Sequence, residues 1–262
     1  MNNKPTISVV LATYNEEENI AACLDSIKDI ADEIVVVDGS SKDKTVEIAK
    51  KFGAKVKITT NKPIFHINKQ MAIDMATKDW VLQLDADERV TPSLCDDIKY
   101  QISNIKYQGI NGYWLPRKNW FLGRFLLKGG QYPDYTLRLY KRGKGRLPQR
   151  DVHEQAEVEG EIGYLKESLL HYPYKSFDEY LIKWSRYTSL LATQIKDSLK
   201  NKSTISKCLY ALGYIFIKPV HWFVISYIRH KGFMDLWPGF VFSLFSSLRF
   251  PVAYVKYLRR KT

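Results

Sequence analysis

The residues best able to do chemistry in this chain are acidic, and they follow apolar segments. Asp85 and Asp87 lie one residue apart directly after Trp80–Leu84, and Asp38 ends the apolar segment Glu33–Asp38. Two carboxylates at this spacing on a turning backbone can share a hard divalent cation, which prefers oxygen ligands and bridges to phosphate oxygens. A D-x-D sequence alone is equally typical of a solvated turn. Its position after an apolar segment is what favours a metal site.

The segments that carry these acids alternate between strand and helix patterns. We predict strands over residues 6–13, 33–38, 55–59 and 80–84, and helices over residues 16–30, 43–52, 67–76 and 91–103. Ser41 is expected to cap the second of these helices, and Thr91, followed by Pro92, the fourth. Strands that are apolar on both faces and joined by helices predict a mostly parallel sheet covered on both sides. Ligands of such sheets bind beyond the carboxyl ends of the strands, so the acids are expected to share one site.

The second part of the chain has a different pattern. Residues 112–172 contain strand-like segments interrupted by Gly and Pro, which predicts an antiparallel extension with functional loops. Residues 177–199 return to a helical pattern. Residues 208–228 and 236–248 are largely uncharged but fall short of the roughly 20 apolar residues that span a bilayer. Because basic residues flank them, we favour interfacial or re-entrant insertion over buried helices of a soluble core.

The basic charge of the chain also lies in its second part. The 262 residues carry 40 Lys and Arg against 28 Asp and Glu, a formal net charge of +12. Residues 1–100 have 13 basic and 17 acidic side chains, and residues 101–262 have 27 and 11. A basic and aromatic second part is typical of a membrane interface or a nucleic-acid surface. Three distant cysteines without a C-x-x-C pair favour a reducing cytosol over a disulfide framework or a zinc site.

Three motifs resemble, in their order along the chain, those of the family 2 glycosyltransferases with the GT-A fold: TISVVLATYNEEENI, EIVVVDGSSKDKT and DWVLQLDADERV. Together with YPDYTLRLYKR, RDVHE and KGFMDLWPGF, they are similar to the bacterial lipopolysaccharide-core beta-1,4-glucosyltransferase subfamily. The resemblance implies an α/β fold, a Rossmann-like mixed sheet with a C-terminal helical membrane-associating extension. We accordingly predict a catalytic domain over residues 1–172, with a nucleotide-sugar-binding half 1–103 and an acceptor half 104–172, and a helical region over residues 173–262.

The resemblance also implies an inverting transfer of a sugar, glucose in that subfamily, from a UDP-sugar to an acceptor hydroxyl with Mg²⁺ or Mn²⁺. By matching motifs, Thr13 and Glu16 would flank the donor and Asp38 would bind the nucleobase. Asp85 would lie at the ribose side, and Asp87 would ligate the metal, with Asp85 as a second metal ligand. A carboxylate at Asp38 can accept a hydrogen bond from a uracil N–H, and a metal neutralises charge on the leaving diphosphate.

Lys69 and Arg138 are the main candidates for contacts with the phosphates, and Arg142 is a further one beside Arg138. Lys69 matches a basic position in the family's third helix, and a solvated helix lysine is the alternative. Gln70 follows it where the family often has Asn, which is a departure from the pattern. Arg138, with Arg142, could hold a phosphate of donor or acceptor. The alternative for both arginines is an antiparallel edge strand kept soluble by charge.

An inverting transfer needs a general base that takes the proton of the acceptor hydroxyl. The matching loop of this chain contains Asp151, His153 and Glu154. We prefer Glu154 as the base because it lies in the V-H-E triplet, with Asp151 as second choice, and His153 could ligate the metal or position the base. The alternative is a surface loop of salt bridges. His171 has no partner that the sequence identifies and is interpreted as structural.

These observations predict an enzyme at the cytoplasmic face of the inner membrane, peripheral or monotopic, that acts on a lipid-linked or lipopolysaccharide-core acceptor. Two other classes of protein would each fit part of the sequence. A basic nucleic-acid-binding protein would fit the charge, but no helix-turn-helix, zinc-finger or RNP pattern appears, so no nucleic-acid partner is expected. A nucleotidyltransferase with a similar sheet would fit the acids, but the chain lacks a Gly-rich phosphate loop after the first strand.

Overall fold

The computed structural model describes residues 4–104, 109–148 and 155–259. Its contacts divide the chain into two compact units. The first comprises Met1–Lys118 and Asp134–His171, and the second comprises Asn119–Pro133 and Tyr172–Thr262. Residues 119–133, which the sequence analysis placed in the acceptor half of the catalytic domain, therefore group with the C-terminal helices. The division into domains at residues 172 and 173 stays a prediction.

The strands and helices alternate over the first hundred residues, as the apolar patterns predict. The strands are β1 (Ile7–Thr13), β2 (Glu33–Asp38), β3 (Lys55–Ile58), β4 (Trp80–Leu84), β5 (Glu88–Val90), β6 (Ile110–Phe121), β7 (Arg124–Leu126), β8 (Asp134–Lys141), β9 (Gly145–Arg146), β10 (Glu157–Val158), β11 (Glu161–Tyr164) and β12 (Leu169–His171). The helices of the first unit are α1 (Glu17–Ser26), α2 (Thr45–Lys51), α3 (His66–Asp74) and α4 (Pro92–Ser103). Of the strands, β7 and the last residues of β6 belong to the second unit.

The main sheet is parallel in its first part and antiparallel afterwards. β1 pairs in parallel with β2 and with β4, and β2 pairs in parallel with β3. β8 pairs antiparallel with both β4 and β6. The strand order is β3-β2-β1-β4-β8-β6-β12-β5. This is the α/β mixed sheet of the predicted fold class.

Both faces of the three central parallel strands, β1, β2 and β4, are buried, which explains their largely apolar sequences, whereas the edge strand β3 is mostly exposed. Val9 and Leu11 of β1 pack on one face with residues of α1 and α4. Val10, the residue between them, packs on the other face with Ala72 and Ile73 of α3. Successive side chains of a strand point to opposite faces, so a strand covered on both sides must be apolar at every position.

Two predicted helix caps have different outcomes. Thr91 caps α4 as expected, since its hydroxyl accepts a hydrogen bond from the Leu94 N–H at 3.1 Å and Pro92 takes the first helical position. The expected cap of α2 by Ser41 is wrong. α2 begins at Thr45, and the Ser41 hydroxyl instead donates to Asp38 at 2.6 Å.

The second unit is helical, with α5 (Phe177–Leu199), α6 (Thr204–Leu212), α7 (Lys218–Phe223) and α8 (Leu236–Arg259). Residues Thr204–Arg229 form one helix of 26 residues that is long and apolar enough, by length and composition, to cross a membrane. Residues 208–228, which have Lys218 and Pro219 at their middle, were expected to be a poor spanning helix. A π-helical stretch, Gly213–Ile217, precedes Pro219, and this altered hydrogen bonding lets the helix continue through the proline.

Most of that helix lies outside the buried core, although Tyr214 packs in a core cluster with residues of α5 and α8. Only 6% of its most apolar window is buried, so the alternative of two buried core helices is wrong for this segment. Ile205, Leu209, Ile217 and Val220 each keep at least 65% of their surface exposed. A contiguous apolar surface of this kind marks a site of interaction with a membrane or another protein.

Glu33 provides a test of acid stability in the first unit. It is nearly buried at the start of β2 and accepts hydrogen bonds from Ser8 (2.5 Å), Lys55 (2.6 Å) and the Thr77 N–H (2.8 Å). Burial alone would raise the pKa of Glu33, but these hydrogen bonds lower it to about 2, against an ordinary value of about 4.3. The ionised form is therefore stabilised by folding.

We expect Glu33→Gln to lower the free energy of unfolding at pH 7 by about 1–2 kcal/mol, a range that allows for solvent screening at exposed Lys55. Because the folded pKa is depressed, this stability is present above about pH 4.3 and is lost as the pH falls through 2. Urea unfolding of both proteins at several pH values measures the difference. Glu47→Gln, which removes an exposed carboxylate of α2, should stay within about 0.5 kcal/mol. If Glu33→Gln lowers the free energy of unfolding by as much at pH 2 as at pH 7, the lowered pKa of Glu33 is contradicted.

Candidate active site

The ends of three parallel strands bring the predicted acids to one edge of the sheet. β1 and β2 are in register with Thr13 opposite Asp38. β4 is in register with β1, with Leu84 opposite Leu11, so Asp85 follows at the same edge. Polar groups from separate parts of the sequence thus converge beyond the carboxyl ends of the strands, where ligands of such sheets bind.

Asp38 is fully buried and holds the loops after β1 and β2 together. Its Oδ2 accepts from the hydroxyls of Thr13 (2.8 Å) and Ser41 (2.6 Å), and its Oδ1 accepts from the Ser41 N–H (2.7 Å). A carboxylate has about four acceptor positions, so these three hydrogen bonds occupy most of them. The contact of Asp38 with a nucleobase and the place of Thr13 beside the donor stay predictions.

The loop after β1 is bonded to the loop after β2 at several points. Asn15 has a φ of 55° and Ser40 a φ of 67°, left-handed values that non-glycine residues adopt rarely and that cluster at functional sites. The Asn15 N–H donates to the Ser41 hydroxyl at 2.8 Å, and the Glu16 N–H donates to the Thr45 hydroxyl at 2.7 Å. Glu16 is half-buried, and its carboxylate accepts from Asn19 at 2.8 Å. Its predicted place beside the donor is untested by these contacts.

Asp85 binds both residues that were predicted to contact phosphate. Its Oδ1 lies 2.5 Å from Lys69 Nζ, and its Oδ2 lies 2.6 Å from Arg138 Nη2. Lys69 and Arg138 are only 6% and 9% exposed, so Lys69 is not a solvated helix lysine. Arg138 is not on a sheet edge either, because β8 lies between β4 and β6. Although burial opposes ionisation, Arg138 and Lys69 hold the pKa of Asp85 well below its usual range.

Two residues that the sequence analysis did not single out extend this network. Glu88 is fully buried and accepts hydrogen bonds from Arg138 (3.0 Å), from Arg117 (3.2 Å) and from the Asp85 N–H (2.9 Å). Arg117 also lies 2.8 Å from Asp134. Buried charges are tolerated when they are paired and hydrogen-bonded. The charges of this network therefore nearly balance, with three carboxylates and three cations: Asp85, Glu88, Asp134, Lys69, Arg117 and Arg138.

Arg142 lies away from this network. β8 runs antiparallel to β4, with Lys141 opposite Trp80 at the amino end of β4. The Arg142 side chain donates to the Lys78 carbonyl at 3.0 Å, and its N–H donates to the Asp79 carbonyl at 2.9 Å. Arg142 is therefore at the end of β4 opposite to Asp85, and the structure does not support the interpretation that it holds a phosphate at this site.

Asp87 lies against His171, the histidine that was interpreted as structural. β12 pairs antiparallel with β5 so that His171 is opposite Glu88, and His171 Nε2 is 3.4 Å from Asp87 Oδ2. The two side chains are 15% and 27% exposed, so both are accessible from solvent. This contact joins residues more than eighty positions apart, and the local sequence around His171 carries no signal for it.

The donor set fits a divalent cation with incomplete protein ligation. Asp87 offers a carboxylate oxygen, His171 offers the side chain that most commonly ligates metals, and a gap of 3.4 Å suits two ligands of one ion. Within the described ranges, no group of three His, Cys, Asp or Glu residues could hold an ion. Both oxygens of Asp85 face cations, so the geometry favours Asp87 over Asp85 as a ligand. The predicted ligand His153 and the candidate bases Asp151 and Glu154 lie outside the described residues.

The buried network predicts a large loss of stability when one cation is removed. Arg138→Met should lower the free energy of unfolding by about 3–5 kcal/mol, because it leaves Glu88 and Asp85 buried with less compensation. Arg142→Met, which lies directly after the same strand and outside the network, removes the same charge and should change stability by less than about 0.5 kcal/mol. Denaturant unfolding of the two variants measures the difference, and equal losses would show that the pairing of Arg138 contributes little.

The chain is similar to known proteins in sequence and in fold. The profile described as glycosyl transferase family 2 matches residues 8–153. An uncharacterised glycosyltransferase of Rickettsia typhi is 29% identical over 256 residues, which cover 93% of this chain and 84% of that protein. The lipopolysaccharide core biosynthesis glycosyltransferase LpsC of Rhizobium meliloti is 27% identical over 264 residues, which cover 94% and 92%. The mannosyltransferase PcManGT of Pyrobaculum calidifontis, solved with GDP-Man and Mn²⁺, matches with a TM-score of 0.55 and 14% identity, over 100% of this chain and 89% of that one. At this identity the structural likeness shows the fold alone.

Proposed function

The chain belongs to glycosyl transferase family 2, and from that premise we propose that it transfers glucose, with inversion, from a UDP-sugar to a hydroxyl of a lipid-linked or lipopolysaccharide-core glycan. The observation that carries this proposal is the arrangement after β4, where Asp85 is paired with Lys69 and Arg138 while Asp87 lies against His171. The similarity to LpsC supports the choice of acceptor class.

The charge balance of the site supports a requirement for a metal. The network around Asp85 and Glu88 is nearly neutral, so it leaves little positive charge for a leaving diphosphate. Asp87 and His171 would hold Mg²⁺ or Mn²⁺, and His153 is a further candidate ligand. When bound, such an ion neutralises the charge that develops on the diphosphate oxygens. The Mn²⁺ in the PcManGT structure agrees with this requirement.

The remaining roles follow the motifs. The carboxylate of Asp38 would accept a hydrogen bond from a uracil N–H, and Thr13, which donates to Asp38, fixes the orientation of that carboxylate. Glu16 would lie beside the donor, and Asp85 at the ribose. Glu154, with Asp151 as the alternative, would take the proton of the acceptor hydroxyl. The hydroxyl oxygen then attacks the anomeric carbon as the bond from that carbon to the diphosphate breaks.

The second unit supports a membrane-bound acceptor. Its helix Thr204–Arg229 exposes apolar side chains, and the chain from Ser168 onward has 15 basic and 4 acidic residues. An apolar surface flanked by positive charge favours binding to anionic membranes. We therefore propose that residues 173–262 attach the enzyme, as a peripheral or monotopic protein, to the cytoplasmic face of the inner membrane, and that nucleic acid is not a partner.

Thermal unfolding in the presence of nucleotides tests the donor site. UDP with Mn²⁺ should raise the melting temperature, since a ligand at about a hundred times its Kd stabilises the folded state by about 2.7 kcal/mol. GDP with Mn²⁺ should have a smaller effect. A melting temperature that stays unchanged with every nucleoside diphosphate would contradict the proposal. A panel of radiolabelled nucleotide sugars, incubated with the enzyme and total membrane lipids, then identifies the sugar and the lipid that receives it.

A further inference from the structure

The second unit contains a cavity of about 350 Å³, lined mainly by residues of α5 and α8. Its wall is largely aromatic and includes Tyr174, Tyr180, Trp184, Phe242 and Phe250. A volume of this size lies in the range of small-molecule sites, roughly 300–1,000 Å³. The sugar transfer proposed above makes no use of this cavity.

One charged side chain, Arg249, lines the cavity. Its guanidinium carbon lies 4.8 Å from the ring centre of Phe250 and 4.5 Å from that of Trp222, and burial lowers the pKa of Arg249. Within the described part of the second unit, Arg249 forms no ion pair with a carboxylate, and no Asp or Glu lines the cavity. A partly buried cation without an anion is unfavourable, so the cavity offers an uncompensated positive charge beside an apolar space.

We propose that this cavity binds an anionic phospholipid of the bilayer, with the phosphate ester on Arg249 and part of an acyl chain among the aromatic rings. The planar guanidinium matches the oxygens of a phosphate and remains charged at all physiological pH values. Trp222, which stacks on Arg249, belongs to the exposed apolar helix Thr204–Arg229. The lipid site is therefore continuous with the surface that we place on the membrane.

The size of the cavity limits what it can hold. At about 30 Å³ for each water-sized group, it accommodates on the order of ten non-hydrogen atoms. That is part of one acyl chain and not a whole lipid, so the head group and the second chain remain outside. Burying the apolar surface of a partly inserted chain is favourable and adds to the ionic contact.

Titration calorimetry of the full chain with monomeric dihexanoyl-phosphatidylglycerol tests this site. The comparison ligands are dihexanoylglycerol, which has the same chains without phosphate, and inorganic phosphate. We expect one phosphatidylglycerol bound per chain, at least tenfold more tightly than either comparison ligand. Equal affinity for dihexanoylglycerol would overturn the role of Arg249, and equal affinity for inorganic phosphate would overturn the role of the aromatic wall.

Two matched variants locate the site. Arg249→Gln should weaken binding at least tenfold, whereas Arg229→Gln, which removes an exposed arginine of the same unit, should change it by less than twofold. If both variants lose the same binding affinity, the lipid is held by general attraction to the basic surface, and the proposal is overturned. If Arg249→Gln does not fold, Ser246→Phe replaces it as the test. This variant fills the cavity while keeping Arg249, and it should abolish binding of phosphatidylglycerol. These titrations need no sugar donor, so their failure leaves the proposed transfer untouched.

The identity of the lipid has its own test. Mass spectrometry of an organic extract of the protein, isolated from membranes, should find phospholipid at about one molecule per chain. This amount should fall in Arg249→Gln but not in Arg229→Gln. A lipid-linked glycan in place of phospholipid would overturn the assignment and make the cavity part of the acceptor site.

Discussion

Replacing Asp87 by Asn is expected to lower kcat for sugar transfer by about 10²- to 10³-fold, the loss typical of removing one group that stabilises charge in the transition state. Asp87 lies 3.4 Å from His171 and outside the buried ion pairs, so the substitution removes the proposed metal ligand without leaving a buried charge unpaired. Transfer of labelled sugar from UDP-glucose to membrane lipids, measured over a range of Mn²⁺ concentrations, gives the effect.

The controls for Asp87→Asn separate metal binding from charge. Asp96→Asn removes an exposed carboxylate of α4 and should behave as the unmodified enzyme. His171→Gln should raise the Mn²⁺ concentration needed for half-maximal activity by about 10- to 100-fold, a change of the size seen when support of a metal site is weakened. Full metal-dependent activity in Asp87→Asn would show that another residue holds the ion.

Glu154→Gln is expected to lower kcat by about 10²- to 10⁴-fold, the usual contribution of a general base. The change should leave UDP-dependent thermal stabilisation intact, because the base acts on the acceptor and not on the donor. Asp151→Asn should retain most activity if Glu154 is the base. The rate of each variant, measured from pH 5 to 9 with saturating donor, should lose its acidic limb only where the base has been removed.

Glu157→Gln is the matched control for the base, since it removes an exposed carboxylate three residues further along the chain. It should leave the pH profile unchanged. If Asp151→Asn loses activity and Glu154→Gln keeps it, the base is Asp151. If neither variant loses more than tenfold, the base lies outside this loop.

The strands at the centre of the fold were predictable because burial on both faces leaves a continuous apolar sequence. β2 and β4 were predicted with the observed bounds, and β1 within one residue. The start of α2 was not predicted correctly, because Ser41 binds Asp38 instead of capping a helix. A hydroxyl near a helix start cannot be assigned to a cap from local sequence when a buried carboxylate competes for it.

The candidate site was predictable only where its residues follow parallel strands. Asp38, Asp85 and Asp87 stand directly after apolar segments, and strand direction alone brings them to one edge. His171 and Glu88 meet through the antiparallel pairing of β12 with β5. The register of two strands of three residues each, separated by about eighty residues, leaves no trace in local composition, so these partners could not be inferred from the sequence.

Because Lys69 and Arg138 are buried, Arg117 is partly buried and all three face carboxylates, ionic strength should act differently on the candidate site and on the basic second part of the chain. The Debye length is about 8 Å at 0.15 M salt, and buried pairs are screened much less than exposed charges. The excess of basic over acidic side chains lies mainly in the segment from Ser168 onward, which has 15 basic and 4 acidic residues. Raising the salt concentration should release the enzyme from anionic vesicles while leaving its KM for the donor nearly constant. A cell could thus regulate where the enzyme is without changing how it binds nucleotide.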